Sequence, residues 1–224
     1  MTALRTRAIV LRRTNYGEAD RILQVLTPEG KRSVMARGVR KEKSRLAGGI
    51  ELFAICDVVI TQGKGDLGIL TSARLVQFYR HILEDYDTMQ FAYEVVKQVS
   101  KASEMVDEPE WYDVMSEVLM GLDALSISRQ LIQTWFYLRY AALLGHELSL
   151  THDTTGRPLR PDVKYFYDEG EMGLREAPQG NVTADHIKLL RLINAKSIKV
   201  SAQVGGLEAT LPDCWSVARQ HAAI

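Results

Sequence analysis

Residues 21–37 read RILQVLTPEGKRSVMAR, two apolar arms around Thr27-Pro28-Glu29-Gly30. Proline presets φ inside such a turn and glycine tolerates a positive φ at its exit, so the stretch reads as a β-hairpin. Residues 6–11 (TRAIVL) supply a strand before it. Residues 52–61 (LFAICDVVIT) and 67–73 (LGILTSA) supply two strands after it, joined by the glycine-rich turn Gln62-Gly63-Lys64-Gly65-Asp66. Five short strands in so little chain predict a small closed or partly open barrel, and the OB-fold is the five-stranded case.

After Ser72 the period becomes helical. Met89, Ala92, Tyr93, Val96 and Val99 share one face of a segment expected to run over 75–105, with a break near 85–88. Residues 111–125 form a second amphipathic segment. Leu131, Trp135, Leu138 and Ala142 mark a third, with Gly145 suited to its C-terminal end. Residues 151–181 lose periodicity and hold Gly156, Pro158, Pro161, Gly170, Gly173, Pro178 and Gly180. Thr183 then caps a helix over 183–195, and residues 212–223 close the chain as another. The expected class is α+β with two domains. Residues 1–78 form an OB-fold nucleic-acid-binding barrel, and residues 79–224 a mostly helical domain with an irregular module at about 150–181.

The chain has 224 residues, of which 46% are apolar and 25% charged, which is ordinary globular usage. No run approaches the roughly 20 apolar residues of a membrane helix, and the start lacks a secretory stretch. Cys56 and Cys214 alone make neither a disulfide framework nor a four-thiolate zinc site. A soluble, cytoplasmic protein is expected. The formal net charge is zero, but it is partitioned: residues 1–80 hold 15 basic and 7 acidic side chains, and residues 81–224 hold 13 and 21. Such asymmetry points to separate surfaces with separate partners.

The densest cationic stretch is Arg37-Gly38-Val39-Arg40-Lys41-Glu42-Lys43-Ser44-Arg45, with five cations and one carboxylate between two strands. Phosphate oxygens call for donors and positive charge, and their neutralisation releases counterions. On an OB barrel the binding face uses strands 2 and 3 and the loops joining strands 1–2 and 4–5. This adds Arg12, Arg13 and Lys64 from the loops, Lys31 and Arg32 from the hairpin, and Tyr16 as a stacking candidate. Phe53, in an apolar strand, is assigned to the core. With so few aromatics, binding should be dominated by the backbone and tolerant of sequence.

No catalytic constellation emerges. Gly63-Lys64-Gly65 lacks the spacing of a phosphate-binding P-loop. His81, His146, His152, His186 and His221 are scattered, and His152-Asp153 reads as a polar loop contact rather than half a metal site. Residues 84–123 hold 11 acidic and 2 basic side chains, taken as a solvated helical face. No catalytic residue, metal or cofactor is assigned.

In order along the chain, Ala8-Ile9-Val10-Leu11-Arg12, Asn15 to Leu23, Leu26 to Lys31, Ala36-Arg37-Gly38-Val39-Arg40 with Lys43-Ser44-Arg45-Leu46-Ala47-Gly48-Gly49, Gly63 to Leu67 and Leu70 to Ala73 form a specific set. It resembles the RecO family of bacterial recombination mediators. The helical half matches more loosely, mainly from Trp135 to His146. The resemblance implies a non-catalytic protein of DNA repair. It would bind single- and double-stranded DNA, anneal complementary strands, and assist RecA loading on coated DNA together with RecR and single-strand-binding protein. Many relatives carry a four-cysteine zinc module where this chain has Leu150 to Leu159 without a cysteine. A metal-free module with Tyr165-Phe166-Tyr167 as its aromatic core is therefore expected. The C-terminus looks short after Gly205-Gly206. The alternative from another class is an RNA-binding OB-fold protein with a helical regulatory domain. A nuclease using the acidic segment is the third reading.

Overall fold

The computed structural model describes residues 2–62 and 65–223. Its five N-terminal strands are β1 (Thr2–Tyr16), β2 (Asp20–Thr27), β3 (Gly30–Ala36), β4 (Ala54–Gln62) and β5 (Leu67–Phe78). They close in the order β1-β2-β3-β5-β4, with β1 returning to pair β4 and only β3 and β5 running parallel. This is the OB-fold expected from the strand count. The hairpin turns where Pro28 and Gly30 place it: Gly30 has φ 100°, and the buried Thr27 hydroxyl donates to the Gly30 carbonyl at 2.8 Å. Alternate residues fill the barrel, among them Ala8, Val10, Leu23, Val25, Val34 and Ile60. Phe53 is 2% exposed, in the core as expected.

Strand ends differ from the sequence reading. Residues 75–78 continue β5 by pairing with β4 instead of starting a helix. A short 3-10 turn follows at Arg80–Leu83, and α1 (Tyr86–Met105) starts behind Asp85, whose carboxylate accepts from the Thr88 amide at 2.8 Å. An N-cap bond of this kind satisfies an otherwise orphaned amide. α2 (Glu110–Asp123) then buries Trp111, whose indole donates to the Val106 carbonyl at 3.0 Å.

The chain divides into compact units at 1–123 and 124–224 rather than at 78/79. The reason is that α1 and α2 pack on the barrel. Ser100 on α1 meets Gln24 on β2, and Lys31 on β3 reaches Glu104 on α1 at 2.7 Å. The charge partition shifts accordingly. The acidic excess lies in residues 84–123, inside the barrel's own unit, whereas residues 124–224 hold 11 basic and 10 acidic side chains.

The second unit contains α3 (Arg129–Leu143), the hairpin β6 (Tyr165–Asp168) and β7 (Gly173–Glu176), α4 (Ala184–Ala195), the short α5 (Ile198–Ser201) and α6 (Leu211–His221). Gly145, at φ 85°, ends α3 as anticipated. Thr183 and His186 cap α4 reciprocally. The irregular module is built around β6 and β7, with Tyr165, Tyr167, Leu174 and Val182 buried. Asp153 holds a turn there by accepting from the Thr155 hydroxyl at 2.7 Å, which chiefly keeps its carboxyl below the usual range, and from the Thr155 and Arg157 amides at 2.8 and 3.0 Å. Among the described residues no three His, Cys, Asp or Glu side chains converge as metal ligands do.

His221 sits buried between two partners. Its Nε2 lies 2.7 Å from the His146 carbonyl, which can only accept, so Nε2 carries the proton. The Tyr167 hydroxyl, 2.9 Å from Nδ1, then donates to that nitrogen. Burial, chiefly, lowers the imidazole pKa below 6.5. The folded state therefore binds this proton less well than the unfolded chain. Its contribution is complete above about pH 6.5 and is lost as the pH falls below that value. The melting temperatures of the wild type and His221→Leu should accordingly differ most at pH 7.5 and converge toward pH 5. A gap independent of pH would refute this role.

Candidate nucleic-acid interface

The basic loop after β3 is held to the β1–β2 turn at defined points. The Gly38 amide donates to Asp20 Oδ1 at 2.6 Å, and Gly38 has φ 63°, a left-handed conformation in which glycine avoids strain. The Arg40 amide donates to the Ala19 carbonyl at 2.9 Å, and its guanidinium to the Gly17 carbonyl at 3.1 Å. Val39 is buried in the barrel core as the loop's apolar anchor. Arg37, Arg40, Lys41, Lys43 and Arg45 are all exposed. The loop thus presents five cations from a fixed backbone, beside Tyr16, which is 54% exposed.

The loop adjoins the outer face of β2 and β3. Strand register aligns Thr14, Ile22, Met35 and Ile69 in one outward row across β1, β2, β3 and β5, and Arg12, Gln24, Ser33 and Leu67 in the next. Ile22, Met35 and Ile69 are half-buried and Leu67 is exposed, so the face offers an apolar platform. Reading the sequence for aromatic stacking partners missed it. The available signal was the alternation of Ile22 and Met35 with the core residues Leu23 and Val34.

The other expected site residues scatter. Arg13 follows the inward-facing row with Leu23 and pairs with Glu51 at 3.1 Å. Arg32 lies half-buried on the inward row of β3, opposite Val25. Lys31 stands at the far end of β3, about 17 Å from the basic loop at ~3.3 Å per residue. Its ammonium donates to the Ser100 carbonyl at 2.8 Å and to Glu104, whose carboxyl it holds below the ordinary range. Lys31 therefore fastens α1 to the barrel instead of joining the loop's cations. Arg12 is exposed on the outer row and faces α1. Lys64 lies outside the described residues. The structure thus brings together Tyr16, Arg37, Arg40, Lys41, Lys43 and Arg45.

Neither cysteine suits nucleophilic chemistry. Burial pushes the Cys56 thiol up to about 11 and the Cys214 thiol up to about 12, so both stay protonated near neutrality. Among the described residues no helix is long and apolar enough to cross a membrane.

Residues 1–79 match the family described as recombination protein O, N-terminal. The chain is also similar to proteins named DNA repair protein RecO. With that of Roseiflexus sp. it shares 35% identity over 121 residues, covering 54% of this chain and 42% of the relative. With that of Syntrophomonas wolfei the identity is 30% over 151 residues, covering 66% and 60%. With that of Bifidobacterium longum it is 34% over 149 residues, covering 65% and 62%. The chain therefore spans less than two thirds of the length of these relatives. The matched N-terminal region coincides with the closed barrel and its basic loop, and over that region the chain is similar to the RecO family.

Proposed function

We propose that the protein is a non-catalytic mediator of DNA repair by recombination. It binds single- and double-stranded DNA through the barrel, anneals complementary strands, and assists RecA loading on strands coated with single-strand-binding protein, in company with RecR, in the cytoplasm. The observation that carries this reading is the rigid presentation of five exposed cations beside Tyr16 and the β2–β3 face. Phosphates bound there lose much of their mutual repulsion, which lets two strands approach. The apolar row of Ile22, Met35 and Ile69 accepts bases without reading them, which suits a protein that must act on any sequence. The relatives' name, DNA repair protein RecO, supports the pathway.

The test is an annealing assay with bare and coated complementary strands, combined with a salt titration. Five phosphate contacts should give a log–log salt slope of about −3.5 on single strands. Annealing should persist on coated strands. A strong preference for matched RNA over DNA would favour the RNA-binding alternative and defeat this reading. Cleavage of labelled DNA in Mg²⁺ or Mn²⁺ would defeat it in favour of a nuclease.

A further inference from the structure

Residues 84–123 contain two cations among 11 carboxylates, and both are on α1: Lys97 and Lys101. Four residues apart, they share a helix face, and Tyr93 lies four residues before Lys97 on the same stripe. All three are exposed. The stripe forms one wall of a groove of about 520 Å³ whose other wall is Leu11, Arg12 and Gln24.

Arg12 reaches this groove through a backbone irregularity. Ala8 and Val10 face the barrel core, so an unbroken β1 would point Arg12 inward as well. The register with β2 shifts between Val10 and Arg12, and Arg12 pairs opposite Gln24 on the outer face. Bulges are known to re-aim side chains in this way. Tyr93 is held by an edge contact with Phe53 at 4.9 Å, yet stays 46% exposed. Glu104, the carboxylate lining the groove, is paired with Lys31 at 2.7 Å. Three cations thus face a shared space in an otherwise acidic region, an arrangement that an anion stabilises.

We infer that this groove is a nucleotide subsite for a single strand. Arg12, Lys97 and Lys101 hold backbone phosphate, and Tyr93 offers a face to a base. The inference rests on the nucleic-acid reading of the basic loop and extends the strand's path from the barrel onto α1.

The test uses the full chain and fluorescein-labelled oligo-dT. Lys97→Ala/Lys101→Ala should flatten the salt slope by about 1.4 and weaken binding about 25-fold at 0.1 M salt. Tyr93→Ala should weaken binding by about five-fold or more, and Tyr93→Phe should retain wild-type affinity, because stacking needs the ring and not the hydroxyl. If the wild type binds with a slope that depends on the basic loop, while the double variant keeps that slope, the subsite is overturned and the loop stands. If the wild type does not bind oligo-dT, the loop reading fails and the subsite with it.

Discussion

Replacing Arg37, Arg40, Lys41, Lys43 and Arg45 together with serine is expected to lower affinity for single-stranded DNA by about three orders of magnitude at 0.1 M salt. The reason is counterion release: each phosphate neutralised on a single strand contributes about 0.7 to the log–log slope, so five cations account for about 3.5. The narrower variant Arg40→Ala/Lys41→Ala/Lys43→Ala should remove about 2.1 of that slope and slow annealing. Stability should change little, since these side chains are exposed and the loop is anchored by Val39 and the Gly38–Asp20 bond. Lys31→Met is the contrasting variant. It should leave the salt slope intact while loosening α1 from the barrel, because Lys31 contacts Ser100 and Glu104. A triple variant that binds with the wild-type slope would remove the loop from the interface.

Gly49→Ala is expected to destabilise the N-terminal unit by about 3 kcal/mol, which lowers its melting temperature by roughly 10 °C. Gly49 ends the 3-10 turn Ala47–Gly49 that leads out of the basic loop, and it is buried against Ala73 of β5. A Cβ there would come within 2.5 Å of the Ala73 carbonyl carbon and 2.6 Å of its oxygen. Both are main-chain atoms in a strand paired to β4, so relief requires the turn to lift off the barrel. The neighbouring Gly48 supplies the control: a Cβ at that position meets nothing within 4 Å, and Gly48→Ala should be nearly neutral. Thermal unfolding of the two variants reads the difference directly, and equal melting temperatures would refute the close approach. Because the turn anchors one end of the cationic loop, Gly49→Ala should also weaken DNA binding without removing a charge.

Much of this could be read along the chain because it is encoded locally. Pro28 and Gly30 set the hairpin, period-two apolar runs mark the strands, and period 3.6 marks the helices. The cationic cluster is equally local: Arg37 to Arg45 occupy one connection, and their exposure follows from their polarity. Contacts distant in sequence were less accessible. Lys31 looks like one more barrel cation until α1, about seventy residues on, supplies Glu104. Leu75, Val76 and Phe78 are apolar at positions compatible with either period, and pairing with β4 decided for strand. Arg12 depended on a single bulge, since one inserted residue reverses which face every later side chain occupies.

The neutral total charge shows the same division. The order of strands and the run of five cations, properties of neighbouring residues, determined by themselves that the chain begins with a basic barrel. Which surface the acidic residues occupy was decided only by tertiary packing. The carboxylates of residues 84–123 lie on α1, α2 and their flanking turns, in the barrel's own unit, and residues 124–224 are close to neutral. Summing charge along a chain cannot reveal this, because the field at a surface depends on what packing brings near it. The same packing sets Lys97 and Lys101, neighbours on α1, opposite Arg12, which lies far from both in sequence, so that all three face one groove in the fold.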